Sequence, residues 1–182
     1  MYGMIHQAAR SLVLDLRGEA AWQEILSQSN LSEEHFISAQ YYDDDLTYSL
    51  VGTISEYLGQ DAPAVLEGFG NYWLKFAETT PYRSVLNMAG DDLETFLGNL
   101  DRMHSSIRST MSRAVMPSFA VSRTVSGDLL IAYRSERAGL EPFVRGLLRS
   151  VMERFGRSGE ISTTPTAGGA DFTIVLDEVK AA

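Results

Sequence analysis

His104 lies among apolar side chains at helical spacing. Leu93, Leu97, Leu100, His104, Ile107 and Met111 recur every three or four residues, with Phe96 and Met103 flanking them. That period stacks them on one helix face. A neutral imidazole buried there must satisfy a donor and an acceptor nitrogen. Either a hydrogen-bonding neighbour in the core or a metal ion on the lone-pair nitrogen would do so. Periodicity alone leaves both readings open. A second cluster, Tyr133, Ser135 and Arg137, falls at alternate positions where an apolar run ends. Alternate residues of a strand share a face, roughly 7 Å apart, so two hydroxyls and a guanidinium converge. The set suits a carboxylate, which arginine grips in a two-pronged fork while hydroxyls donate to spare lone pairs. The same pattern also describes an ordinary polar strand end at the surface.

The elements that must position these residues follow from pattern and punctuation. Apolar positions at Tyr2, Ile5, Ala9, Leu12, Val13 and Leu16 predict a helix over 2–16, and Trp22, Ile25 and Leu26 a second over 19–27. Ser32, with Glu33 and Glu34 behind it, marks another helix start, and Leu46 to Leu58 forms a helix stopped by Gly59. Asp61 caps the next helix, with Pro63 in its first turn; it carries Val65, Leu66, Phe69, Trp73 and Phe76 to Glu78. A short helix covers Arg83–Met88. Asp91 as N-cap, with Glu94 three residues on, opens a helix running to Met111, the one that carries His104. From Pro117 the character changes. Strands at Ser118–Arg123 and Leu129–Arg134 flank the turn Val125–Asp128, an amphipathic helix spans Gly139–Phe155, and Ile161–Thr164 pairs with Phe172–Val179 across the loop Pro165–Ala170. The fold class is α+β: helices first, then a helix packed on a small antiparallel sheet.

Composition removes several function classes. The 182 residues contain no cysteine, which excludes disulfides, iron–sulfur clusters, thiolate zinc sites and thiolate-ligated iron. Only His6, His35 and His104 are available as imidazole ligands, too few for a four-ligand zinc site away from carboxylates. A formal charge of −9 argues against nucleic acid, which needs a basic face. The Asp43-Asp44-Asp45 run lacks the spaced ligands and glycine of a calcium loop and reads as a helix N-terminus. No apolar run approaches the roughly 20 residues that span a bilayer, and no leader pattern opens the chain. A cytoplasmic protein with no membrane partner is expected.

Taken together, the chain resembles the heme–nitric oxide/oxygen-binding (H-NOX) family, the heme domain also found in soluble guanylate cyclase. Asn99-Leu100-Asp101-Arg102-Met103-His104, Met116-Pro117-Ser118-Phe119, Phe69-Gly70 and Tyr133-Arg134-Ser135-Glu136-Arg137-Ala138-Gly139-Leu140 carry the resemblance over nearly the whole length. It implies a single domain over 1–182, with a helical distal subdomain at about 1–60, a proximal α/β subdomain at about 61–182, and one heme b between them. It implies further that His104 is the iron ligand, with Leu100 and Met103 beside it. Tyr133, Ser135 and Arg137 would clamp the propionates, and Pro117 would press on the macrocycle. The aligned pocket positions on the gas side are Ile5, Ala9, Trp73 and Phe143.

Bound O₂ draws negative charge outward from ferrous iron, so a distal hydrogen-bond donor stabilises it, whereas nitric oxide binds tightly without one. Family members that hold O₂ use a tyrosine at the place where this chain has Phe143. The expectation is a sensor for NO and CO that excludes O₂, although the Trp73 indole N–H is a donor in principle. An O₂-binding or redox sensor of the same fold is the alternative. NO weakens the bond trans to itself, which implies a strain switch through release of His104. No kinase, cyclase or phosphodiesterase motif is present, so the output is expected in another polypeptide; by resemblance to bacterial stand-alone members, this is a histidine kinase or a cyclic-di-GMP enzyme. Two rivals remain. A peroxidase-type enzyme needs a distal acid–base pair, for which His6 is the candidate, although its helical position reads as a polar edge. The other is a heme-free module for an apolar ligand or partner helix.

Overall fold

The computed structural model describes residues 1–178. Helix α1 runs Gly3–Gln28 and bends at Gly18, whose φ of 80° is left-handed. The two expected helices are therefore one element with a break at that glycine, the residue that tolerates this backbone at least cost. A 3₁₀ turn at Glu33–Phe36 starts at Ser32, and α2 spans Asp44–Leu58, ending on Gly59 in the left-handed region. Helix α3, Ala62–Glu78, is capped by Asp61, which accepts from the Ala64 N–H at 2.9 Å. Helix α4 covers Arg83–Ala89.

The expected single helix over 91–111 is two: α5, Leu93–Gly98, and α6, Leu100–Thr110, divided at Asn99. Its N-cap is Asp92, not Asp91, with Oδ1 accepting from the Thr95 N–H at 2.9 Å. Glu94 closes no capping box; it pairs with Arg123. The Asn99 amide instead donates to the Ala89 carbonyl at 2.8 Å, pinning the break to the end of α4.

The sheet follows: β1 (Ser118–Arg123), β2 (Leu129–Arg134), then α7 (Glu141–Arg154), β3 (Gly159–Thr166) and β4 (Gly169–Leu176). All pairings are antiparallel in the order β1-β2-β4-β3. The last hairpin turns at Ala167-Gly168, tighter than the expected loop, so β3 and β4 start and end differently from the sequence reading; Val179 lies outside the described residues. Along β2, Leu129, Ile131 and Tyr133 alternate inward, as a half-buried strand must.

Two apolar cores result. The first joins α1, α2 and the start of α3 around Trp22, Ile25 and Leu50. The second joins the inner sheet face to α5, α7 and the end of α3 around Phe96, Phe172 and Leu148. Each such fully buried side chain contributes about 1.5–3 kcal/mol. Helix α3 belongs to both, with Val65, Leu66 and Phe69 in one and Leu74 and Ala77 in the other. Its crossing with α7 is made by paired glycines. A Cβ on Gly70 would collide with the Phe143 carbonyl, and one on Gly146 with the Glu67 carbonyl, 2.8 Å from the Asn71 nitrogen. This backbone-to-backbone approach brings Phe143 against Phe69, with ring centroids 5.3 Å apart. No helix among the described residues is long and apolar enough to cross a membrane.

Candidate functional site

A large apolar cavity lies where the two cores face each other. The space open to the centre of a water molecule is about 250 Å³, far beyond the roughly 10–15 Å³ that one water needs on that measure, so there is room for a ligand much larger than water. Its walls come from α1 (Met4, Ile5), α2, α3 (Phe69, Trp73), α6 (Met103, His104) and the segment 114–117. Among the residues singled out from sequence, His104, Met103, Pro117, Ile5, Trp73, Phe143, Tyr133, Ser135 and Arg137 all line it. Ala9 and Leu100 do not. Each is 4% exposed, Ala9 inside the first core and Leu100 inside the second. Periodicity gives a residue's helix face but not whether that face meets a neighbour or a void.

His104 stands on α6, of which only Leu100 is buried in protein; Met103, His104, Ile107 and Met111 turn to the cavity instead. Its ring lies 5.6 Å from that of Phe119 on β1. Nδ1 is buried without a hydrogen-bond partner. Burial lowers the ring's pKa below 6.5, against the opposing pull of the Asp101 carboxylate and the Pro117 carbonyl. A largely neutral imidazole with one buried nitrogen that meets no protein group has the chemistry a metal-ligating histidine needs. The core-histidine reading, which needs a partner on each nitrogen, does not describe it. Asp101, one turn before, accepts from the Phe119 N–H at 2.6 Å and ties the start of α6 to the sheet.

Tyr133, Ser135 and Arg137 meet at the cavity edge, but not by strand alternation. Strand β2 ends at Arg134. Beyond it the chain turns, and the Ser135 hydroxyl oxygen accepts from the Arg137 N–H at 3.0 Å, a local turn of the kind serine favours. Tyr133, 1% exposed, packs on Phe119 and Phe172. Burial raises its phenol pKa, so it stays a donor.

Arg137 has a partner that sequence reasoning missed. Its Nε donates to Asp44 Oδ2 at 2.6 Å and Nη2 to Asp44 Oδ1 at 3.3 Å, while Nη1 donates to the Val115 carbonyl at 2.6 Å. Asp44 Oδ1 also accepts from the Met1 amino nitrogen at 2.6 Å. Burial pushes the Asp44 carboxyl up, but the bonds from Arg137 and Met1 outweigh it and hold its pKa below the ordinary value. Of the five guanidinium N–H donors, two remain after these bonds, one on each terminal nitrogen, while the Ser135 and Tyr133 hydroxyls bond to each other. The edge can thus still receive an external carboxylate, which is the fit test a heme propionate poses. The acidic run at 43–45 was the available signal for Asp44; its partner 93 positions on was not.

On the opposite wall, Phe143 and Trp73 pack edge to face at 6.3 Å, and Phe69 completes the aromatic group. Phe143 donates nothing. His6, read from its spacing as a polar edge, is instead fully buried, with Nδ1 on the His35 carbonyl and Nε2 on Thr47 Oγ1, each at 2.8 Å. The ring itself does not line the cavity, although its partner Thr47 does.

Comparison with known proteins follows this geometry. The family model described as Haem-NO-binding matches residues 2–163. Soluble guanylate cyclase gcy-35 of Caenorhabditis elegans is 34% identical over 158 residues, covering 85% of this chain and 23% of that protein. The chain therefore spans about a quarter of the length of the curated relatives it matches. The crystal structure of an H-NOX protein from S. oneidensis in the Fe(II)NO ligation state shares the fold with a TM-score of 0.86 at 19% identity, over 98% of this chain and 100% of that one. An oxygen-binding H-NOX domain related to soluble guanylate cyclases, solved as its oxygen complex, gives 0.78 at 18% identity, over all of both chains. One fold thus serves proteins holding different gases, and the gas has to be argued from the side chains.

Proposed function

This chain belongs to the haem-NO-binding (H-NOX) family of heme gas-sensor domains, and on that premise we propose that it senses NO, with CO as a second ligand, and excludes O₂. Heme b would be held by His104 as the iron ligand, with Tyr133, Ser135 and Arg137 toward its carboxylates and Pro117 against its ring. Ferrous heme supplies an iron atom open to a diatomic gas. The observation that supports the reading is His104: an imidazole of lowered pKa with Nδ1 unpartnered, lining an apolar cavity whose edge also carries the Arg137 guanidinium.

The chain's own residues account for the rest. Ile5, Phe69 and Phe143 offer no donor to a partly negative ligand, and the Trp73 indole, the one donor among the aligned pocket positions, is read as packing against Phe69 and Phe143; this disfavours O₂ relative to NO. Helix α6 is thinly anchored, by Leu100, Asn99 and Asp101 at its start. A bond from His104 to a heme iron would then be a main restraint on α6, and without it α6 would be held only at its start. Such a change signals only if the gas binds the two arrangements with different affinity. The output passes to a separate signalling protein, a histidine kinase or a cyclic-di-GMP enzyme, from a cytoplasmic location. Peroxidase-type chemistry is disfavoured by the commitment of His6 to His35 and Thr47.

His104→Gly with added imidazole separates the iron bond from the helix. Imidazole is expected to restore heme binding while NO ceases to change the partner's activity. Unchanged NO regulation in that variant would refute coupling through His104.

A further inference from the structure

The wall of the cavity contains a hydroxyl whose proton is controlled from behind. Thr47 on α2 lines the cavity, is 5% exposed, and has Oγ1 2.8 Å from His6 Nε2. On the other side of the ring, Nδ1 lies 2.8 Å from the His35 carbonyl oxygen. A carbonyl can only accept, so Nδ1 carries the ring proton and Nε2 presents a lone pair. The Thr47 hydroxyl must then donate to Nε2. Its single proton points away from the cavity, and it offers the interior lone pairs alone.

We propose that His6 decides whether Thr47 faces the cavity as an acceptor or as a donor. A proton taken from solvent onto Nε2 makes that nitrogen a donor to Thr47 Oγ1, and the Thr47 O–H is released to rotate into the cavity. No covalent bond of Thr47 breaks, and one proton is gained overall. The recipient is a hydrogen-bond acceptor inside the cavity, either the outer atom of a bound gas or an oxygen of a heme carboxylate. The inference rests on the heme reading above and adds a pH-dependent donor to a wall that otherwise disfavours O₂.

The surroundings set the range in which this happens. From the loop before α2, the His35 ring faces Tyr42 at 5.4 Å, Tyr42 faces His6 at 5.6 Å, and the Tyr42 hydroxyl donates to the Glu34 carbonyl. Phe36 closes the pocket edge-on at 6.0 Å. On α1, Arg10 is paired with Glu33 at 3.5 Å, and from α2 Asp44 is paired with the Met1 amino group. Burial lowers the His6 pKa below 6.5, with the Met1 amino group and His35 adding to it and the His35 carbonyl opposing. The switch therefore acts in acid solution, below that value.

Two measurements test it. In ¹⁵N-histidine NMR of the full chain, His6 at neutral pH is expected to be neutral with its proton on Nδ1; a proton on Nε2 overturns the proposal whether or not heme is bound. The reduced CO adduct is then followed by vibrational spectroscopy as pH falls through the His6 titration. A downward shift of the C–O stretch identifies the gas as recipient, and a shift of the heme carboxylate bending mode identifies the carboxylate. Either shift should persist in Thr47→Ser and vanish in Thr47→Val and in His6→Gln. Both modes flat in the parent protein overturn the proposal. Failure to form any CO adduct overturns instead the heme reading, while the NMR result still stands.

Discussion

Replacing Arg137 by glutamine removes a guanidinium that holds Asp44 through two charge-assisted bonds and the Val115 carbonyl through a third. The two side chains are 14% and 29% exposed, so the pair is neither a surface ion pair of little consequence nor fully buried. A hydrogen bond to a charged group contributes about 1.5–3 kcal/mol; with a discount for partial solvent screening, a loss of about 3 kcal/mol is expected. For a chain of this size each kcal/mol moves Tm by about 2–4 °C, giving a drop of about 6–12 °C. The assay is thermal and urea unfolding of the parent, Arg137→Gln, Asp44→Asn and the double variant. A coupling energy of at least about 1.5 kcal/mol is expected, because each single change strands the other partner. Asp44 has a lowered folded-state pKa, so its contribution is complete above the ordinary carboxylate value and is lost as pH falls through the lower folded one. Acid sensitivity below about pH 4 should therefore shrink in Arg137→Gln. Additive single effects, or a total cost under about 0.5 kcal/mol, would refute the reasoning.

Gly146→Ala forces α3 and α7 apart and should cost at least about 3 kcal/mol, or prevent folding, in the same unfolding assay; a neutral result would mean the crossing is looser than described. Both His6 and His104 have folded pKa values below 6.5, so the unfolded chain binds more protons. Stability of the heme-free protein should fall as pH drops below that value, by up to about 1.4 kcal/mol per pH unit for each histidine. A stability curve flat from neutral pH down to about 5 would contradict this. Phe143→Tyr adds a hydroxyl to the cavity wall and should move the ferrous protein toward O₂ binding, read as an oxy spectrum in air that the parent lacks; its absence would remove Phe143 from the account of selectivity.

The fold class is legible in the sequence, while several element boundaries and the long-range contacts are not. The helical stripe marks His104 as its one titratable member but leaves a core histidine and a metal ligand both open; the family resemblance points to the ligand, and the structure adds that His104 lines the cavity with Nδ1 unpartnered. The break at Asn99 was not legible. The stripe 93, 97, 100, 104 keeps its spacing straight through it, so a single non-helical residue leaves no mark on the period. Leu100 and Ala9, expected at the cavity from the resemblance, lie instead in the two cores, each about one turn from a wall residue of its own helix. The two helices expected over 2–16 and 19–27 are one element bent at Gly18, where glycine tolerates a left-handed backbone. Contacts between distant segments, Asp44 with Arg137 and His6 with Thr47, depend on how elements pack and have no local signature. The turn after β2 likewise brought Ser135 and Arg137 together by a hydrogen bond and not by the strand period.

The measurement that bears most directly on the central claim is the absorption spectrum of the reduced protein under argon, then under NO, then separately under air. A Soret band characteristic of histidine-ligated ferrous heme is expected under argon, absent in His104→Ala, displaced by NO, and giving no stable oxy spectrum in air. Full heme binding by His104→Ala with an unaltered spectrum would show the iron held by another residue and would contradict the account.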